Sequence, residues 1–410
     1  MSEDPPCIVI AGAGHAGGSA AAFLRQYGWK GAIALVGEEA HLPYQRPPLS
    51  KAWLKGEASA ESLALRPARF YAQQRIDLHL GTRVAGIDRA ARRVSLSDGI
   101  ELGYHRLILA LGARPRSLAL PGADLAGVLA LRGTVDADAL QAALGPGRRL
   151  AVIGGGYIGL EVAASARALG AGAVVLEREA RVLARVAGTA LSRFLEAQHR
   201  ARGVEVLTGV EVAAIEGEAG AARAVRLQDG RRIPCDTVLI GVGAVPSTEL
   251  AAAAGLDCAG GIVVDLAART SDPAIHAIGD CTQRPLPLYG RSGRLESVPN
   301  AIEQAKQAAA DICGRPPPQP EVPWFWSDQF ELRLQMAGLA FDAHEAVIRG
   351  DAEAGGFTVF HLDREQRVLA IEAVNAPADF MAGRVLVAKQ ARVAPDILRD
   401  PARSIRDVAA

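Results

Sequence analysis

Two glycine-rich stretches of this 410-residue sequence have the residue spacing that binds a dinucleotide. The first is Gly12-x-Gly14-x-x-Gly17, which follows a short apolar run and precedes an alanine-rich segment. The second, Gly154-x-Gly156-x-x-Gly159, has the same surroundings. Between a strand and a helix, the first glycine allows a tight turn, the second lets the backbone approach a pyrophosphate, and the third lets helix and strand pack closely. The sequence therefore predicts two nucleotide sites in one chain.

An acidic residue follows each glycine stretch at the end of the next predicted strand. Glu38 comes after AIALVG and Glu177 ends AVVLE, each at about the twenty-residue distance at which a carboxylate accepts hydrogen bonds from an adenosine ribose. A carboxylate at Glu177 would also repel a 2′-phosphate, which favours NADH over NADPH. Arg178 and Arg181 stand close by and weaken this prediction, because arginine can accept that phosphate.

The glycine stretches belong to an internal repeat. ARRVSLSDG at 91–99 matches ARAVRLQDG at 222–230, and at the same spacing LILALGARP at 107–115 matches VLIGVGAVP at 238–246. Each copy predicts a hairpin with an Asp-Gly turn followed by a buried strand. Duplication of a nucleotide-binding domain explains this pattern.

The composition argues against several other classes of protein. Lys plus Arg and Asp plus Glu both number 45, and this zero net charge argues weakly against a general nucleic-acid or anionic-membrane binder. With no basic segment before an apolar run and no run of membrane-spanning length, we expect a cytoplasmic protein. The five cysteines form no C-x-x-C pair, so the sequence predicts neither a redox dithiol nor a metal site, and each cysteine is expected to be a small buried side chain.

Three further stretches are less specific. The segment PYQRPPLSK at 43–51 predicts a rigid loop, in which Lys51 would be a solvated cation on physical grounds alone. A short strand that ends at Gly279-Asp280 is equally compatible with a turn and with a ligand site. After a proline-rich linker at 315–323, two β-rich runs and a helix near 378–390 predict a small antiparallel sheet with core aromatic residues.

A series of motifs runs along the chain in order: VIAGAGHAGG, RPPLSKAWLKG, LALGARPR, VIGGGYIGLEVAA, TSDPAIHAIGDC, ESVPNAIEQAK and WFWSDQ. Together they resemble the FAD-dependent ferredoxin reductases of bacterial cytochrome P450 systems and their relatives that serve Rieske dioxygenases. The resemblance implies an α/β fold with two Rossmann-like domains, on the plan of glutathione reductase, and a small C-terminal α+β domain. The implied domains are FAD-binding over 1–112 and 247–322, NAD-binding over 113–246, and a C-terminal interface domain over 323–410.

The resemblance, together with the glycine turns, assigns residues to both cofactors. FAD is expected to contact Gly12, Gly14, His15, Ala16, Gly17, Glu38, Lys51, Val84, Arg132, Asp280, Val298 and Trp326. NAD is expected to contact Gly154, Gly156, Tyr157, Ile158, Gly159, Glu177 and Arg185. The expected catalytic residues are Lys51 and Glu161, as a partly buried ion pair beside the flavin ring, and Tyr157, where the nicotinamide enters. One departure from the family pattern is Leu111, where the family more often has threonine.

The resemblance implies electron transfer from NADH through FAD, one electron at a time, to a [2Fe-2S] ferredoxin that serves a P450 monooxygenase. Docking of an acidic ferredoxin would be transient and electrostatic, and Lys306 and Arg333 are the candidate contacts. The reductase is expected to be a monomer. Three alternatives remain open: a reductase for a Rieske dioxygenase, rubredoxin or nitrite reductase; an NADH oxidase or peroxidase; and an NADH-responsive flavoprotein like apoptosis-inducing factor. The oxidase class usually has a reactive cysteine near the flavin, where this chain has Leu49-Ser50-Lys51.

Overall fold

The computed structural model describes residues 7–405, which form two compact units. Within the described residues, the first unit consists of 7–46, Ala60–Arg114 and Val245–Pro323, and the second of Pro47–Ser59, Pro115–Ala244 and 324–405. Helices alternate with parallel strands in both units, so the predicted α/β class is confirmed. The division into three domains stays a prediction.

A five-stranded parallel sheet is the centre of the first unit. Its middle strand is apolar throughout its buried length, as expected for a parallel strand covered on both faces. The apolar sides of two helices, His15–Gln26 and Val298–Ile312, join residues of this sheet in one core cluster. The strands in spatial order are Ile275–Ala277, Arg106–Leu109, Cys7–Ala11, Ala32–Gly37 and Ile76–Leu80.

Smaller elements complete the first unit. One antiparallel sheet consists of Val84–Asp88, Arg93–Leu96 and Glu101–Gly103, and a second small sheet of Ile262–Val263, Thr282–Leu286 and Arg291–Gly293. Short helices are Ala60–Leu63, Ala68–Gln73 and Glu249–Ala253, with a 3-10 turn at Pro287–Tyr289. Two further strands, Ala113–Pro115 and Ala244–Pro246, lie where the chain passes from one unit to the other.

The second unit repeats the parallel design. Its five-stranded sheet is accompanied by the helices Thr134–Ala143, Tyr157–Ala168 and Thr189–Ala201. The predicted duplication also appears in a three-stranded antiparallel sheet, Val212–Glu218, Ala221–Leu227 and Arg232–Pro234, which contains the second Asp-Gly hairpin. The strands of the parallel sheet in spatial order are Val204–Thr208, Gly172–Glu177, Arg149–Ile153, Thr237–Ile240 and Val128–Leu129.

The spacing of Ile158, Val162, Ala166 and Leu169 predicts the buried face of the helix Tyr157–Ala168, and this prediction is wrong for Ile158. Val162 and Ala166 are fully buried, whereas Ile158 is 52% exposed. Ile158 lies in the first turn of the helix, at the carboxyl edge of the sheet, where the strands that cover the later turns have ended.

A five-stranded antiparallel sheet forms the C-terminal part of the second unit, as predicted. The helix expected near 378–390 is Pro377–Lys389, and Pro395–Arg399 follows it. Phe357 and Val359 of this sheet share an apolar core with Leu160 of the nucleotide-binding helix. The strands in spatial order are Trp324–Gln329, Leu332–Gly338, Val368–Val374, Gly356–Leu362 and Glu345–Asp351.

The cysteines are all free thiols. Cys235 and Cys281 are buried as expected, and Cys7 and Cys313 are half-buried. The expectation is wrong for Cys258, which is exposed and forms an isolated β-bridge with Ile262. Between residues 7 and 405 there is no helix long and apolar enough to cross a membrane. The same residues contain no cluster of His, Cys, Asp and Glu that could hold a metal ion.

Candidate functional site

The first glycine turn has the close backbone contacts that its sequence predicts. Gly12 has a φ of +114°, and a Cβ atom there would lie 2.2 Å from the carbonyl oxygen of Ala110. A Cβ atom on Gly17 would lie 1.9 Å from the carbonyl oxygen of Gly12. Any side chain at these two positions would therefore displace the backbone of the turn.

The middle glycine has open space instead. No protein atom lies within 4 Å of a Cβ atom built on Gly14, which is the N-cap residue of the helix His15–Gln26. No side chain caps this helix and no acidic residue lies in its first turn, so its first N–H groups are left for an anion. This open cradle at a free helix N-terminus fits the diphosphate of FAD.

Two other residues assigned to FAD, Glu38 and Asp280, follow the carboxyl ends of strands of the same sheet. Glu38 is exposed directly after the strand Ala32–Gly37. Asp280 follows Gly279, whose Cβ position is 3.1 Å from the Cβ atom of Ala16. The structure thus brings Asp280 close to the first glycine turn, and its role as an FAD ligand stays a prediction. Val298, the first residue of its helix, and Val84, the first residue of its strand, are both half-buried.

His15 opens the first helix with an unsatisfied ring nitrogen. Its Nδ1 atom is buried and has no hydrogen-bond partner among the described residues. Burial lowers the pKa of His15 from 6.5 to about 4, so the imidazole is neutral near pH 7. A neutral imidazole can line the predicted FAD site, but it is not poised to act as an acid or base near pH 7.

The second glycine turn has the same geometry. A Cβ atom on Gly154 would lie 2.5 Å from the carbonyl oxygen of Gly241, and one on Gly159 would lie 2.4 Å from that of Gly154. Gly156 again has no protein atom within 4 Å of its Cβ position and caps a helix without a side-chain cap. The second unit therefore offers the same open cradle to the diphosphate of NADH.

Glu177 ends its strand beside this second cradle. Its Oε2 atom accepts the N–H of Gly155 at 2.7 Å, and its Oε1 atom accepts the N–H of Glu179 at 2.8 Å. These bonds fix the carboxylate, and each oxygen keeps a second lone pair for a ribose hydroxyl.

The arginines near Glu177 differ in their exposure and in their hydrogen-bond partners. Arg181 donates to the carbonyl oxygens of Ala187 and Ala184, at 2.9 and 3.0 Å, so its guanidinium is occupied by its own loop. Arg178 is exposed and pairs with Glu179 at 3.2 Å. Arg185, which is exposed, has its Nη2 atom 3.7 Å from the Cβ position of Gly243, at the same edge of the sheet. The guanidinium of Arg181 therefore already has partners, and selection of NADH by the carboxylate of Glu177 stays a prediction.

Lys51 is not the solvated cation expected from its loop alone. Its Nζ atom lies 2.6 Å from Oε2 of Glu161, and the two side chains are 18% and 6% exposed. Ser50, in a 3-10 turn at Pro47–Ser50, donates to the same Oε2 atom at 2.5 Å. Ser327 donates to the other carboxylate oxygen at 2.6 Å. Glu161 is thus a buried carboxylate that accepts one cation and two hydroxyl groups.

Tyr157 lies near this carboxylate. Its hydroxyl group is buried without a partner among residues 7–405, and its ring packs edge-on against Phe325 with centroids 4.8 Å apart. Burial, with the nearby charges of Glu372 and Glu161, raises the pKa of Tyr157 well above 10, so the phenol stays protonated.

Trp326, assigned to FAD, is half-buried, and its ring centroid lies 5.7 Å from that of Trp324. Arg132 follows the strand Val128–Leu129, and its N–H donates to Asp136 at 2.8 Å.

Three residues that support this carboxylate were not predicted from the sequence. Ser327 and Gln329 are buried on one face of the strand Trp324–Gln329, and His199 is buried against Gln329. The usable signal was the alternation in WFWSDQ, where polar residues at 327 and 329 share a strand face with Phe325. His199 carried no such signal, because it contacts this strand only through tertiary packing.

The fold and these two cradles define a class: a flavoprotein oxidoreductase with one dinucleotide turn for FAD and another for a nicotinamide nucleotide. The comparisons with known proteins agree. Residues 6–305 match the pyridine nucleotide-disulphide oxidoreductase family, and residues 324–409 match the reductase C-terminal family.

Relatives are similar over nearly their whole lengths. The chain is 54% identical to a probable ferredoxin reductase, CtmF, of Castellaniella defragrans, with 96% of each chain covered. It is 43% identical to putidaredoxin reductase CamA of Pseudomonas putida, covering 98% of this chain and 96% of the relative. A crystal structure of the covalent putidaredoxin reductase-putidaredoxin complex superposes with a TM-score of 0.96 at 42% identity, covering 99% of this chain and 98% of the other. The chain belongs to the ferredoxin reductases of the pyridine nucleotide-disulphide oxidoreductase family, and its cofactors are FAD and NADH.

Proposed function

We propose that this reductase passes electrons from NADH through FAD, one at a time, to a [2Fe-2S] ferredoxin that serves a cytochrome P450 monooxygenase. One observation supports electron transfer from the flavin without a thiol intermediate. At the position where the NADH oxidase class uses a reactive cysteine, this protein has Ser50 and Lys51, both bonded to buried Glu161. No thiol is present in this arrangement to take the electrons. When bound, FAD accepts the hydride of NADH and can release its electrons singly.

The Lys51 and Glu161 pair supports this chemistry electrostatically. A cation held at low solvent exposure stabilises negative charge that develops beside it more strongly than an exposed cation does. Glu161 fixes the ammonium group by its 2.6 Å contact, and the backbone oxygen of Pro47 accepts from the same Nζ atom at 3.1 Å. We propose that Lys51 stabilises the negative charge of the reduced cofactor and that Glu161 orients Lys51.

Anaerobic stopped-flow reduction by NADH and by NADPH, followed by mixing with a [2Fe-2S] ferredoxin from the same source, tests the function. We expect fast bleaching of the flavin by NADH and rapid one-electron transfer to the ferredoxin. A parallel experiment uses rubredoxin as the acceptor. Fast bleaching with transfer to rubredoxin alone would overturn the ferredoxin proposal, and a long-lived reduced complex without transfer would favour a redox-sensing flavoprotein.

Substitution of the ion pair tests its role separately. Lys51→Met and Glu161→Gln should each slow flavin reduction at saturating NADH, Lys51→Met by roughly a hundredfold or more, the scale of losing one electrostatic stabiliser. Lys55→Met is the matched control, because Lys55 stands four residues away and pairs with exposed Glu57 at 2.7 Å. Equal rates in Lys51→Met and Lys55→Met would exclude the proposed role.

The two candidate docking cations differ in their surroundings. Lys306 pairs with Glu321 at 3.3 Å and lies 6.0 Å from the ring centroid of Phe23. Arg333 is exposed on the strand Leu332–Gly338, and no ion pair of its side chain occurs among the described residues. We propose that Arg333 contributes more than Lys306 to the attraction of an acidic ferredoxin, since the charge of Lys306 is already balanced locally.

A further inference from the structure

A chain of buried side chains leads away from Glu161 through the second unit. Ser327 lies 2.6 Å from Oε1 of Glu161, Gln329 lies 3.2 Å from the hydroxyl of Ser327, and His199 lies 2.8 Å from Gln329. Ser327 and His199 are 0% exposed and Gln329 is 1% exposed. The chain therefore runs entirely out of contact with solvent, where hydrogen bonds are strongest and unpaired polar groups are most costly.

Only one direction of donation satisfies these contacts. The carboxylate of Glu161 accepts the cation of Lys51 and the hydroxyl of Ser50 at its other oxygen, so it is ionised and Ser327 must donate to it. The Ser327 oxygen then accepts from the Nε2 amide of Gln329, whose Oε1 atom is left to accept from His199. His199 must therefore carry its proton on Nε2.

The surroundings of His199, at the far end of this hydrogen-bond chain, agree with a proton on Nε2. The Nδ1 atom of His199 is buried and has no hydrogen-bond partner among the described residues. A proton there would be an unsatisfied buried donor, which is more costly than an unsatisfied lone pair. Burial also lowers the pKa of His199, which keeps the ring neutral.

We infer that Ser327, Gln329 and His199 form a one-way hydrogen-bond chain that positions the carboxylate of Glu161, and through it the ammonium group of Lys51. Each donor polarises the next toward the negative charge, so the chain strengthens the final bond from Ser327. The inference rests on the proposed role of the Lys51 and Glu161 pair. These three residues are positioning residues, since they act through Glu161.

The effect should decline with distance from Glu161. Ser327→Ala removes a hydrogen bond to a charged group and should lower the rate constant of flavin reduction about tenfold. Gln329→Met and His199→Phe, which keep approximate size, should lower it progressively less, because each acts through one more bond. The affinity for NADH should be unchanged, so the loss appears in the rate constant at saturation.

The experiment uses the holoenzyme and anaerobic stopped flow with NADH. Ser192→Ala is the matched control, because Ser192 is equally buried on the helix of His199 but donates to the carbonyl oxygen of Val182 at 2.5 Å. Ser327→Cys keeps the shape with a weaker donor and should fall between wild type and Ser327→Ala. A rate for Ser327→Ala equal to that of Ser192→Ala would overturn the inference, as would equal effects at all three chain positions. If Ser327→Ala does not fold, Ser327→Cys provides the same comparison.

Nuclear magnetic resonance of ¹⁵N-histidine holoenzyme gives a readout that does not depend on activity. The signal of His199, identified by its loss in His199→Phe, should be that of a neutral ring protonated at Nε2. An Nδ1-protonated or doubly protonated ring would contradict the chain. If NADH fails to reduce the flavin but His199 has the expected tautomer, the proposed function fails while the hydrogen-bond chain stands.

Discussion

The glycines of the first turn differ in what an added methyl group would meet. Gly17→Ala would force a Cβ atom to within 1.9 Å of a backbone oxygen, and overpacking of this kind costs about 1–3 kcal/mol or more. Gly14→Ala meets no protein atom, and its backbone, at φ −81°, accepts alanine. We expect Gly17→Ala to destabilise the apoprotein and Gly14→Ala to leave it folded with weaker FAD binding.

Thermal unfolding of the apoprotein and titration with FAD separate these two outcomes. Gly14→Ala should have the melting temperature of the wild-type apoprotein but a dissociation constant for FAD raised roughly tenfold, as expected when a close phosphate contact is lost. Unchanged FAD affinity in Gly14→Ala would show that the diphosphate does not lie against this glycine.

Glu177 is fixed by two backbone N–H groups, and its charge should oppose a 2′-phosphate. Glu177→Gln keeps the side-chain length and one acceptor but removes the charge. We expect the ratio of kcat/KM for NADH to that for NADPH to fall roughly tenfold, the effect of about 1.4 kcal/mol. Glu205→Gln serves as control, because Glu205 is an exposed residue of the strand Val204–Thr208 that pairs with Arg149, two strands away in the sheet. If Glu205→Gln lowered this ratio and Glu177→Gln did not, the assignment to Glu177 would be wrong.

His15 makes the apoprotein sensitive to acid. Its pKa is 6.5 before burial and about 4 in the folded chain, so the unfolded state binds more protons between these values. The stabilisation is complete above about pH 6.5 and is lost as the pH falls through about 4. Denaturant unfolding between these pH values should show a loss of about 3 kcal/mol that is absent in His15→Gln. The exposed His344 provides the control His344→Gln, which should keep the loss seen in the wild-type apoprotein. If His344→Gln abolished the loss as His15→Gln does, His15 would not be its source.

At the scale of elements, a buried ion pair joins the strand Thr282–Leu286 to the helix Val298–Ile312. Arg284 contacts Glu303 at 2.9 Å and Asn300 at 2.8 Å, and both members of the ion pair are nearly fully buried. Arg284→Met should lower the free energy of unfolding by about 3–5 kcal/mol, because it leaves the charge of Glu303 buried and unpaired. The double variant Arg284→Met with Glu303→Met should recover much of this loss.

The exposed pair of Arg226 and Glu216, at 3.0 Å, is the control for that experiment. Arg226→Met should change the free energy of unfolding by less than about 1 kcal/mol in the same denaturant titration. If Arg284→Met were as mild as Arg226→Met, the buried pair would not hold strand and helix together.

The sequence predicted elements with local signals and missed those defined by tertiary contacts. The glycine turns, Glu177 at its strand end and the antiparallel C-terminal sheet follow from period and spacing, and the structure has them. The partner of Lys51 could be named only through the family resemblance, because Glu161 is 110 positions away in the chain. Ile158 has the spacing of the buried face, yet it is exposed where the strands beneath its helix end. Hydrophobic period alone cannot show where a helix extends past its sheet.

At the scale of the whole molecule, zero net charge means that attraction of an acidic ferredoxin must come from local positive charge and should be screened by salt. Arg333→Glu should lower the second-order rate constant for ferredoxin reduction several-fold at low ionic strength and much less at high ionic strength. Lys306→Glu should have a smaller effect, since Glu321 already balances Lys306.

Flavin reduction by NADH should be unchanged in both variants, because neither residue belongs to a nucleotide turn. Stopped-flow transfer to the ferredoxin across a series of salt concentrations measures both rate constants, and Arg333→Gln separates loss of charge from reversal of charge. The expected order of decreasing rate is wild type, Arg333→Gln and Arg333→Glu, converging at high salt. A salt dependence identical to wild type in Arg333→Glu would place the docking surface elsewhere, and a larger effect of Lys306→Glu would show that the ferredoxin displaces Glu321 from its lysine.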